Sequence, residues 1–201
     1  WDTALAAHAL LEAGGGRAES AARRGLVAVH YSGCEMEVLT QCTVGGQYAY
    51  VPITPKRDRL SVNDADELYA NLPVGAAALE GKLKKSGQLN VSMTLVGRFE
   101  ASVQAIKADA LQGSCDRATH VITGLTVGAF EFFAGADASV GGRVGVGQVG
   151  VGADSTSSRE MLAKDGDEGA CGKATVGDQK PPEGCGAFLR VEVTPLPCYS
   201  G

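Results

Sequence analysis

The chain has 201 residues, 44% of them hydrophobic and 20% charged, which is the composition of an ordinary globular domain. Its formal net charge of −5 offers no basic surface for a polyanionic backbone, so nucleic-acid binding is set aside as a class. No apolar run approaches the roughly 20 residues of a membrane helix, and the 28 glycines, about twice the usual share of roughly 7%, concentrate in one stretch after residue 134.

In chain order, Asp2 or Thr3 is expected to cap a short helix running to about Ala13, with Leu5, Ala6, Ala9, Leu10 and Ala13 as its apolar stripe. This amphipathic start is unlike a signal peptide, and an opening at Trp1 is read as a mature or trimmed product. Short strands follow at residues 26–31, 36–40 and 47–53, with Gly45-Gly46 as a turn before the last. Asn63 is expected to cap a second helix, DADELYANL, whose early Asp64, Asp66 and Glu67 suit the positive end of the helix dipole.

Two glycine-marked stretches alternate with period 2, and each is expected to form one long amphipathic hairpin, at residues 74–105 and 119–153. In the first, Leu89, Val91, Met93, Leu95 and Phe99 oppose Asn90, Ser92, Thr94, Arg98 and Glu100. The preceding run sets Leu79, Gly81 and Leu83 against Glu80, Lys82 and Lys84, and a loop of Lys85, Ser86 and Gly87 keeps the faces segregated across the turn. In the second, a Gly141-Gly142 turn places Phe130, Phe132, Val149 and Val151 on one face, and Glu131, Asp137 and Gln148 on the other. Leu89 through Val103 is longer than the roughly 9 to 11 residues that cross a bilayer as a tilted strand.

Between the hairpins, residues 105–113 are a strand end and a turn into Cys115. After the second, the polar stretch from Ser157 to Cys185 is a surface excursion, and residues 188–194 (FLRVEVT) are a last strand returning to the sheet. The expected fold class is therefore α+β: a single domain, a small α/β body into which two long amphipathic hairpins are inserted, able to join an oligomeric transmembrane β-barrel.

Six cysteines, at 34, 42, 115, 171, 185 and 198, lack zinc-ligand spacing and suggest disulfides in an exported protein. Spacing favours Cys34 with Cys42 and Cys171 with Cys185, leaving Cys115 with Cys198, although fifteen pairings are open.

No catalytic constellation competes. Gly145, Gly147 and Gly150 satisfy GxGxxG but continue as strand on both sides, without the strand-to-helix context of a dinucleotide site. Asp165, Asp167 and Glu168 lack the distal glutamate of a calcium loop, and His8, His30 and His120 are scattered. No metal, cofactor or enzymatic activity is expected.

The stretches CDRATHVITGLTVGAFEF, SREMLAKDGDEGAC and CGAFLRVEV, with the glycine-rich run between the first two, resemble a group of exported, lipoprotein-type proteins from myxobacteria and their relatives. The resemblance covers most of the chain after Gly25 and implies export, not mechanism. The layout of a small body with two extended hairpins is similar, in architecture alone, to the curli secretion channel family, in which each subunit lends two hairpins to a large oligomeric barrel.

Four strands cannot close a barrel, for which about eight is the minimum, and lipid tolerates no open sheet edge. The expectation is therefore a ring of identical exported subunits, an outer-membrane or secreted (extracellular) β-barrel, forming a water-filled pore. Leu89, Val91, Met93, Leu95, Phe130, Phe132, Val149 and Val151 would face lipid. Lys82, Lys84, Asn90, Ser92, Thr94, Arg98, Glu100, Glu131, Asp137 and Gln148 would line the lumen. The alternatives are a soluble secreted β-rich binding module, a sandwich in which the apolar faces of both hairpins pack on each other to bind a protein or carbohydrate, and an envelope scaffold whose hairpins pair between subunits without a pore.

Overall fold

Residues 75–88 contain no valine, isoleucine or threonine; alanine, leucine, glutamate and lysine dominate, and these are helix formers. In the computed structural model, which describes residues 2–5, 21–103, 106, 110–135 and 159–196, they form a helix and not the first arm of a hairpin. The spacing explains the difference. Leu79 and Leu83 lie four residues apart, which keeps side chains together on a helix face and on a strand face alike. Gly87, placed by its sequence in a hairpin loop, is left-handed (φ 75°) and instead closes the helix, its amide donating to the Leu83 carbonyl.

The described elements run β1 (Asp2–Leu5), β2 (Leu26–Tyr31), β3 (Met36–Val44), β4 (Tyr48–Val62), α1 (Ala65–Asn71), α2 (Ala76–Ser86), β5 (Leu89–Ala101), β6 (Leu111–Gly113), β7 (His120–Ala134), β8 (Glu160–Asp165), α3 (Glu168–Cys171) and β9 (Ala187–Pro195). The molecule is mostly antiparallel sheet with a few short helices. At Asp2–Leu5 a strand paired with β9 replaces the helix start expected there. The rest of that predicted helix lies outside the described residues, as do Gly141-Gly142, Asp137, Gln148, Val149, Val151 and Cys198.

The fifteen-residue β7 is the spine of the sheet. Along one edge it pairs with β5 and, at its start, with β2; along the other it pairs with β9 and then β8. Beyond β5 lies β4, and beyond β2 lie β3 and β6. β5 and β7 approach too closely for a side chain at Gly128, where a Cβ would sit 1.8 Å from the Thr94 carbonyl oxygen. Half-buried Tyr48 ties three strands: its hydroxyl donates to the Ile122 carbonyl (2.8 Å) and accepts from the Val27 amide (3.1 Å). Burial pushes its pKa up to about 12, the Val27 amide opposing the shift.

α1 and α2 roof one face of β4, β5 and β7. Asp64, not Asn63, is the N-cap of α1, its carboxylate accepting from the Glu67 amide, while Glu67 accepts in return from the Asn63 amide. Leu68, Leu72, Leu79 and Leu83 of the helices share one core with Leu89, Val91, Met93, Leu95, Phe130, Phe132 and Leu189. Each described member of the expected lipid-facing row is buried inside the chain's own core. An alternating apolar strand face demands cover, and two leucine-bearing helices supply it here.

Two disulfides brace the sheet. Cys171–Cys185 (Cα–Cα 5.2 Å), as predicted, closes the loop after β8. Cys42 joins Cys115 (4.9 Å) and not Cys34, which is exposed and free. Cys34 lies in the β2–β3 turn, and eight residues along an extended strand at about 3.3 Å each put Cys42 roughly 26 Å away. β6 pairs with the end of β3 and delivers Cys115 to Cys42 instead.

Candidate functional site

Paired residues in an antiparallel sheet point to one face, so the registers of β4, β5, β7 and β8 define what stands opposite the helices. One row across the four strands reads Arg59, Ser92, Glu131, Lys164. Its neighbour reads Arg57, Thr94, Ala129, and on the other side stand Ser61, Asn90, Phe133 and Met161. The first two rows form the floor of a groove of about 410 Å³, within the usual size of a small-ligand site. Arg159, Gly166 and Glu168 complete its wall.

Glu131 is the electrostatic centre. Its carboxylate accepts from Lys164 Nζ at 2.8 Å and from Arg159 at 2.5 Å. The bond from Lys164, with Arg159 adding to it, holds the Glu131 carboxyl below the usual carboxylate range despite partial desolvation. The same bond raises Lys164 above the usual lysine value. The Arg159 guanidinium also lies over the Phe133 ring, 3.9 Å from its centre. Arg57 reaches Glu168 of α3 (2.9 Å), while Asp58 is held by Arg190 of β9 (2.7 Å).

Short loops set these positions. Gly166, left-handed at φ 78°, turns the chain from β8 into α3, and a Cβ there would meet Ala129 at 2.8 Å. Asp167 caps α3 by accepting from the Gly169 amide, which accounts for the acidic KDGDEG segment without a cation. Among the described residues, no group of three histidine, cysteine or acidic side chains is placed to hold a metal ion. No helix among them is long and apolar enough to cross a membrane.

Of the residues expected to line a lumen, the fold brings Ser92, Thr94 and Glu131 together in the groove. Asn90 is buried beside it, donating to the Gly135 carbonyl (2.9 Å) and accepting from Ser61 (2.6 Å). The other described ones are elsewhere, and Asp137 and Gln148 lie outside the described residues. Lys82 and Lys84 stand on α2, paired with Glu160 and Glu80. Arg98 lies between Glu100 (2.9 Å) and Glu192 (3.0 Å), farther along β5. Arg57, Arg59, Arg159 and Lys164 were not singled out from sequence, and Glu168 was considered only as part of a calcium loop. The two β4 arginines carry no alternation like that of Asn90, Ser92 and Thr94, since Lys56, Arg57, Asp58 and Arg59 are charged in succession and Pro52 and Pro55 end the apparent strand early.

Against protein-family models, curated proteins and solved structures, the chain has no match.

Proposed function

We propose that the chain is an exported, disulfide-braced, β-rich binding module that takes its ligand in the groove on the polar face of β4, β5, β7 and β8. The observation that carries this reading is the fate of the apolar row. Leu89, Val91, Met93, Leu95, Phe130 and Phe132 are packed beneath α1 and α2, so lipid contact would require the chain to give up its own core. What remains accessible on the other face is polar and charged, with hydroxyls, guanidiniums and carboxylates converging on one hollow. Export is supported by the two disulfides, which suit an oxidising compartment. Function as a binding module needs no metal, cofactor or nucleophile.

The deciding experiment is size-exclusion chromatography with light scattering, run with and without detergent. A monomer that stays folded without detergent supports the binding module. A large ring that forms only in detergent would overturn it in favour of a shared transmembrane barrel.

A further inference from the structure

A methionine sulfur is open to oxidation to the extent that the fold leaves it accessible, and this chain carries three methionines in three different settings. Met93 on β5 lies beneath the helices at 3% exposure. Met36 on β3 is half-buried against the core that holds Val27 and Val29. Met161 on β8 is 46% exposed, so accessibility ranks its sulfur first.

What surrounds Met161 gives its oxidation a consequence. The register sets it directly opposite Phe133 on β7, and cross-strand partners stand about 5 Å apart on one face of a sheet. The same ring carries the Arg159 guanidinium, 3.9 Å from its centre, and Arg159 also donates to Glu131 at 2.5 Å. Met161 and Arg159 are therefore both neighbours of one aromatic ring. A thioether is a weak acceptor, whereas a sulfoxide oxygen is polar and accepts well, and a guanidinium has five donors in its plane. We propose that Met161 is the site at which hydrogen peroxide modifies this chain, and that its sulfoxide oxygen accepts from Arg159 and draws the guanidinium off the Phe133 ring. In this step the peroxide O–O bond breaks, one oxygen bonds to Sδ, the sulfur loses two electrons and the peroxide is reduced to water. A methionine sulfoxide reductase reverses such a change. Because Arg159 borders the groove and holds Glu131, oxidation at Met161 alters the groove wall without entering the core, whatever the groove binds.

The test treats the folded full chain with hydrogen peroxide and follows each methionine by peptide mass mapping. In parallel, NMR follows the Arg159 side-chain protons, which the ring current of Phe133 holds upfield. Expected are oxidation of Met161 about tenfold or more faster than that of Met93, with Met36 between them, and a urea midpoint that barely moves once Met161 alone is oxidised. The Arg159 signals should shift downfield in step with Met161 oxidation, and in Met161→Leu the same treatment should leave them in place. Faster oxidation of Met36 or Met93, or equal rates at all three, would overturn the site. Complete oxidation of Met161 with the Arg159 signals unmoved, or the same shift in Met161→Leu, would overturn its coupling to Arg159.

Discussion

Leu83 on α2 is the residue at which the helical roof can be tested most directly. It is 4% exposed and shares the core with Leu79, Leu89, Val91 and Phe132. Leucine and alanine are both good helix formers, so Leu83→Ala barely alters helix propensity, and its cost reports packing. Truncating a buried leucine costs about 2–5 kcal/mol, and at about 2–4 °C per kcal/mol for a chain of this size the melting temperature should fall by roughly 4–20 °C. Gly81→Ala on the same helix should act in the opposite sense. No atom lies within 4 Å of the added methyl, so replacing a mid-helix glycine should stabilise by about 0.5–1 kcal/mol. Urea denaturation followed by circular dichroism, without detergent, measures both. A loss of less than about 0.5 kcal/mol for Leu83→Ala would be that of a surface substitution, and would mean that residues 76–86 do not cover the sheet.

Three further outcomes are expected. Gly128→Ala places a methyl against the Thr94 carbonyl at the β5–β7 crossing and should prevent native pairing, seen as loss of amide protection along both strands. Peptide mapping without reduction should recover Cys42 linked to Cys115 and Cys171 linked to Cys185; by loop length alone, removing the first should cost about 4 kcal/mol and the second about 3. The Glu131 carboxyl titrates below its usual 4.5, so its contribution is complete above about pH 4.5 and is lost as pH falls through the lowered folded value. Lys164, raised above its usual 10.5, contributes below that pH and is lost at more alkaline pH. Glu131→Gln should therefore show a smaller loss of stability between pH 6 and pH 3 than the unaltered chain, by urea midpoints.

Much of the strand layout was legible in the chain. Leu26–Tyr31 was read at its observed bounds, the last strand to within a residue at each end, and Cys171 with Cys185 from their short spacing. The alternation from Leu89 was sound as well, because a strand half-buried in protein and one half-buried in lipid carry the same pattern. Two things were beyond it. Cys42 meets Cys115 only because β6 is laid beside the end of β3, a pairing 73 residues apart in sequence. The groove joins Arg59, Ser92, Glu131 and Lys164 from four strands whose order in the sheet no local pattern encodes.

The sequence by itself determined that an apolar strand face exists and that it must be covered, since leaving it in water is unfavourable in proportion to its area. Only the tertiary structure decided by what. Residues 76–86 satisfy the spacing of a strand and of a helix alike, but their side chains favour the helix, and its leucines bury the face that would otherwise have sought lipid. The polar rows on the opposite side of the sheet line the groove.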